Sequence, residues 1–198
     1  MGMRQTPGDE AERWESARAG DPVAFGDLYD RHRDRIYGHA LRLVRSSHDA
    51  EDVTALVFLE AWRRRANVRL VDGTILPWLF VTATNVVRNH ERTARRHRLA
   101  MSSLPPADVA PDHADEIDER IDRERPTADL RGAFAELSAR DQDVVTLCVL
   151  EQLPLAEAAQ TLGVPLGTLK SRLSRAKAKL SRTLSFDVDT DLTAGGAR

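Results

Sequence analysis

Residues 155–184 read LAEAAQTLGVPLGTLKSRLSRAKAKLSRTL. Leu155, Ala158, Ala159 and Leu162 recur at helical spacing and predict one short helix. Gly163 follows where a tight turn between crossing helices needs a permissive backbone. Val164 can plug the angle, and Pro165 can begin a second helix. In that helix Leu166, Leu169, Leu173, Ala176, Leu180 and Leu184 form one apolar stripe for a core. The other face carries Thr168, Lys170, Ser171, Arg172, Arg175, Lys179 and Arg182. A recognition helix has this layout: early side chains reach base edges in the major groove, later cations meet phosphates. A plain basic amphipathic helix explains the charges but not the short preceding helix and its turn. The stretch is therefore expected to be a DNA-binding helix-turn-helix, ending near Leu184.

Working outward, the region ahead of it predicts helices near Ala128–Leu137 and Arg140–Leu150, with Ser138 and Asp141 suited to a capping-box start. Ser102 to Pro126 holds Pro105, Pro106, Pro111 and a run of acids, so it reads as a linker, with room for a short helix around 115–125. In the N-terminal half, Asp21 and Pro22 predict a capped helix through Val44, its apolar face Phe25, Leu28, Ile36, Ala40 and Leu43. Ser46 or Ser47 can cap the next helix, Asp49 to about Arg65, with Val53, Leu56, Val57 and Trp62 as its buried stripe. Asn67 to Thr74 reads as a loop, and a helix from Pro77 to about Arg98 starts apolar and ends basic. No alternating strand stands out. The expected architecture is all-α: a helical domain over 10–100, a flexible acidic linker over 101–126, a second helical domain over 127–184 and a disordered tail over 185–198.

Charge placement says more than the net charge of −2 over 198 residues. From Pro165 to Leu184 there are six cations and no acid. From Arg88 to Arg98 come Arg88, Arg92, Arg95, Arg96 and Arg98 against Glu91 alone. Two basic patches separated by an acidic connector point to two DNA-facing modules. Cys148 is the single cysteine, which excludes an internal disulfide and a Cys-rich zinc site. No apolar run approaches the roughly 20 residues of a membrane span, and the start MGMRQTPGDEAER lacks a signal-peptide core. A cytoplasmic chain without membrane insertion is expected. His48-Asp49, with Asp52 a turn later, is the only hint of a metal-dependent enzyme, but companion ligands and a phosphate loop are missing. No catalytic residue, metal or cofactor is expected.

Four stretches in order, GDPVAFGDLYDRHRDRIYGHALRLV (20–44), DAEDVTALVFLEAWRR (49–64), PWLFVTATNVVRNHERTARRHR (77–98) and LGVPLGTLKSRLSRAKAKL (162–180), resemble the RNA polymerase sigma factors of the extracytoplasmic-function (ECF) type. The resemblance implies that the chain binds core RNA polymerase and directs promoter-specific initiation. By it, the DAED helix docks on the clamp helices of the polymerase largest subunit through Asp49, Glu51 and Asp52, and the C-terminal domain meets the second-subunit flap. Phe58 and Trp62 belong to the same motif and read as core, as does Trp78. The PWLF helix would read and melt the minus-10 element through Asn85, Arg88, Asn89, Arg92, Arg95 and Arg96. The loop Asn67–Ile75 with Asn85 would form the pocket for a flipped base, which is extruded at a cost of a few kcal/mol. The recognition helix would read the minus-35 element through Thr168, Lys170, Ser171, Arg172, Arg175 and Lys179. An anti-sigma protein is a further implied partner. The chain departs from the family pattern at Ala55 and Leu56, where Gln-Glu is common, and at Asn89 and His90, where an acid and an aromatic are common. An ordinary helix-turn-helix regulator would account for the C-terminal half alone, leaving the DAED helix and the Arg88–Arg98 patch unused.

Overall fold

The computed structural model describes residues 7–102 and 125–194, with side chains over 9–94, at 96 and over 130–184. It contains α1 (Pro7–Arg18), α2 (Pro22–Leu43), α3 (Ser47–Arg64), α4 (Leu76–Ser102), α5 (Arg125–Ala135), α6 (Ala139–Val145), α7 (Leu155–Leu162) and α8 (Leu166–Ala194). α6 runs on into a π-helical turn, Thr146–Leu150. Extended backbone among the described residues amounts to a single bridge between Val71 and Thr74.

Local chemistry sets the helix starts. Asp21 accepts from the backbone N–H groups of Val23 (2.8 Å) and Ala24 (3.3 Å), with Pro22 inside the first turn. Ser46 Oγ accepts from Asp49 N at 3.0 Å and opens α3. Ser138 Oγ accepts from Asp141 N (3.3 Å) and donates to the Asp141 carboxylate (2.6 Å). Gly163 closes α7 at φ 62°, ψ 36°, the left-handed region that glycine enters without a Cβ penalty.

The helices of the N-terminal half close around Trp14, Leu28, Ile36, Val57, Leu79 and Phe80. Each such side chain contributes about 1.5–3 kcal/mol by leaving water. This core continues into Val144, Leu147, Ala158 and Leu169 of the C-terminal half. The two halves therefore lie against each other, with the chain between them (103–124) outside the described residues, as is the short helix expected around 115–125.

Four expectations change. α1 is absent from the sequence reading, yet Trp14 and Ala17 are fully buried. Leu56, placed in the buried stripe of α3, is 47% exposed, because the buried face runs through Ala50, Val53, Val57 and Ala61 and leaves it at the edge. Leu166 is 42% exposed at the first turn of α8, so the core stripe of that helix starts at Leu169. α8 also continues to Ala194 through the stretch expected to be a disordered tail. No proline or glycine interrupts 185–194, and the first glycine is Gly195.

Candidate nucleic-acid interface

α8 is fixed from below by Leu169, fully buried, and Ala176, nearly so. That anchoring turns Lys170, Ser171, Arg175 and Lys179 outward and leaves Thr168 and Arg172 half-buried. Ser171 Oγ donates to Thr168 O (3.0 Å) and Arg175 Nε to Ser171 O (3.3 Å), which holds both along the helix axis. Lys179 has a second duty: its Nζ donates to Glu136 O at 2.6 Å, just past the end of α5. The polar face expected at residues 168–175 is thus one continuous surface.

The second basic face is less uniform. On α4, Asn89, His90, Arg92 and Arg96 are exposed, while the Arg95 side chain lies outside the described residues. Asn85 and Arg88 are half-buried and bonded to each other. Arg88 turns toward the C-terminal half, donating to Gln142 Oε1 (3.2 Å) and pairing with Asp143 (3.7 Å). Burial pushes the Asp143 carboxyl up to about 6, an effect that the Arg88 charge partly offsets. Asn85, Arg88 and Asn89 also border an open groove of about 630 Å³ between α3 and α4, with Trp78 and Arg63 among its walls.

Of the expected polymerase contacts, Asp49 sits half-buried in the first turn of α3, and Glu51 and Asp52 are exposed. Carboxylates there complement the positive end of the helix dipole. Phe58 is core, edge-on to Tyr29 at 4.8 Å. Trp62 is half-buried against Phe25 and carries the Arg65 guanidinium 4.3 Å above its ring. His48 and Asp52 form an exposed pair at 3.8 Å, and no cluster of three metal-ligating groups occurs among the described residues.

Two clusters escaped sequence reasoning. One joins the halves. His39, fully buried, meets Glu151 Oε1 through Nδ1 (2.8 Å) and Thr84 Oγ1 through Nε2 (3.3 Å). Thr84 in turn meets Thr146 (2.9 Å), and Arg42 also donates to Glu151. The other surrounds the loop before α4. Val71 and Thr74 exchange backbone hydrogen bonds (3.0 and 3.1 Å) across Asp72 (φ 52°) and Gly73 (φ 73°). Two consecutive positive φ values with Asp-Gly mark a type I′ turn. Beside it, Glu10 is buried; desolvation alone would raise its pKa, but hydrogen bonds from His32, Thr74 and Ile75 N–H hold it below the ordinary carboxylate value.

Comparison with known proteins identifies the two halves. The sequence matches Sigma-70 region 2 over residues 28–97 and Sigma-70 region 4 over residues 127–180. The ECF RNA polymerase sigma factor SigL of Mycobacterium tuberculosis is 30% identical over 175 residues, 87% of this chain and 95% of its own. The chain belongs to the ECF RNA polymerase sigma factors. The sigma factor SigE of Mycolicibacterium smegmatis is 35% identical over 165 residues, 81% of this chain, which spans only 63% of that relative's length. CnrH, solved in complex with the cytosolic domain of CnrY, shares the fold of this sigma factor over 90% of this chain and 98% of its own (TM-score 0.58, 23% identity). Region 2 of the sigma factor takes in most of α2, all of α3 and most of α4, leaving α1 outside the match. Region 4 spans α5 to the middle of α8 and contains the helix-turn-helix. No described helix is long and apolar enough to cross a membrane.

Proposed function

We propose that this sigma factor binds core RNA polymerase in the cytoplasm and directs transcription initiation at a subset of promoters. The observation that carries the reading is the exposed polar face of α8, set on buried Leu169 and Ala176 within the region 4 match. Thr168, Lys170, Ser171, Arg172, Arg175 and Lys179 read the minus-35 element. Asn85, Arg88, Asn89, Arg92, Arg95 and Arg96 serve the minus-10 element, where cations hold the backbone while amides engage unstacked bases. The loop 67–75 receives a flipped base. Asp49, Glu51 and Asp52 face the clamp helices of the largest subunit, and region 4 faces the second-subunit flap. The chain has no catalytic role of its own; polymerisation belongs to the enzyme it recruits. Family membership makes an anti-sigma protein the expected inhibitor.

The halves must part for this function. Elements centred near minus-10 and minus-35 lie about 25 base pairs apart, roughly 85 Å along the duplex. Here α4 and α6 are joined by side-chain contacts of 3.2–3.7 Å. The chain from Ser102 to Arg125 can extend to roughly 75 Å, which brings both elements within reach once the halves separate. The test is reconstitution with core polymerase, followed by in vitro selection of promoter DNA. Failure to co-elute with core polymerase, together with no transcription from any promoter in a genomic library, refutes the reading.

A further inference from the structure

We propose that Glu10, on the helix that precedes the matched part of region 2, is a positioning residue for the loop that receives the flipped base. The proposal deepens the function above and rests on its assignment of that loop. Glu10 is 3% exposed, and its carboxylate ties two separate segments of chain to α1. Oε1 accepts from Thr74 Oγ1 (2.7 Å) and Ile75 N (2.9 Å), and from His32 Nε2 of α2 (2.9 Å). Oε2 pairs with Arg31 Nε at 3.3 Å. A carboxylate this buried persists only when its lone pairs are used. Here the loop supplies two of the donors.

The two bonded residues sit at the point where the loop enters α4. They come directly after the Asp72-Gly73 turn, so fixing Thr74 and Ile75 fixes the turn as well. The chain just ahead of the loop also meets α1. Arg18 Nη2 lies 3.5 Å from Ala66 O, and a cavity of about 400 Å³ separates Trp14 and Arg18 from Asn67 and Arg69. α1 thus holds the exit leg by a buried charge network and meets the entry side at Ala66. A reading site must have its geometry set before the ligand arrives, or the ligand's binding energy goes into ordering it. Glu10 supplies that order from outside the loop.

A merely structural Glu10 would, when replaced, weaken every activity together. A positioning Glu10 acts on base selectivity alone. The experiment uses holoenzyme reconstituted from core polymerase and the full chain, with wild type, E10A, E10Q and T74V compared. The probes are premelted DNA carrying each of the four bases at every minus-10 position, and a duplex carrying only the selected minus-35 element. In wild type one position shows a marked base preference. E10A is expected to lower that preference about tenfold, with polymerase co-elution and minus-35 affinity unchanged. E10Q keeps an acceptor for Thr74 and Ile75 and is expected to retain most of the preference. T74V removes the loop's own side-chain bond while leaving Glu10, His32 and Arg31 in place, and it keeps the test decisive if E10A does not fold. It is expected to lower selectivity several-fold. Wild-type preference in a folded E10A, or in T74V when E10A does not fold, overturns the proposal. Parallel loss of all three activities in the folded variants also overturns it. A wild-type holoenzyme that initiates transcription but prefers no base in premelted DNA refutes the loop assignment, and the proposal with it.

Discussion

Replacing Glu151 with Ala tests whether the contact between the halves is a separable latch. Glu151 is 8% exposed at its side chain and holds His39, which is fully buried, at 2.8 Å, and also Arg42, which is half exposed. Stranding a buried hydrogen-bonding group costs about 1–3 kcal/mol, whereas the exposed Arg42 arm contributes about 0–1 kcal/mol. The closed arrangement should therefore weaken by about 1–4 kcal/mol, a factor of roughly 5 to 900 in the closed-to-open ratio. Small-angle scattering reads the outcome. A compact chain of 198 residues has a radius of gyration near 16 Å, and parting into two halves should raise it toward about 25 Å. Apparent affinity for polymerase engaged through both halves should rise by up to the same factor, because the competent form becomes more populated. A gain of binding from removal of a buried contact is the distinctive sign. An unchanged radius with a uniform drop in thermal stability would show that the seam is simply part of one core, and the reasoning would fail.

Other expectations concern single residues. Arg175→Ala should weaken minus-35 duplex binding by about 1–3 kcal/mol and leave co-elution with polymerase intact, as read by fluorescence anisotropy and gel filtration; equal loss of both would indicate misfolding. Asp143 has its folded pKa raised to about 6 from 3.8 by burial, so the folded state holds its proton more tightly than the unfolded one. Stability should fall as pH rises from about 4 to 6 and level off above. Asp143→Asn should flatten that slope in urea titrations and stabilise the chain near pH 7; an unchanged slope would refute the cause. Gly163→Ala places a Cβ where nothing lies within 4 Å, so only the φ of 62° resists it. About 1–2 kcal/mol should be lost in chemical denaturation, and a neutral result would contradict the left-handed cap.

What the sequence made legible was whatever local chemistry decides. Asp21-Pro22, Ser46, Ser138 and Gly163 each satisfy or terminate their own helix, and they stand where their residue types predict. The face of α8 was readable because one period governs both its core and its polar side. α1 was not, since Trp14 and Ala17 are isolated apolar positions in a strongly charged stretch and gain their burial from α2 and the loop. Leu56 misled because it fits a helical stripe by spacing, while the direction from which neighbours arrive is a tertiary fact. Arg88 fitted the basic patch equally well, yet Gln142 and Asp143 claim it from 54 and 55 positions further along the chain. Glu10 and Glu151 fall outside every motif read from the sequence. Their partners lie 21 to 112 residues away, and no local pattern encodes such pairings.

The π-helical turn Thr146–Leu150 bears on how such a chain tolerates insertions and deletions. Its wide coil holds one more residue than an α-helix would need over the same rise. Glu151 comes directly after it, its N–H bonded to Thr146 O at 3.0 Å, and Leu153 N closes back on Leu147 O at 2.8 Å. Deleting one residue here would let the segment relax to an ordinary α-helix with the downstream chain close to its present direction. Glu151 would stay beside His39, and the helix-turn-helix behind it would keep its own internal packing. A one-codon deletion at this turn would then be absorbed locally, a route by which lineages can change length here while keeping the coupling between the two readers.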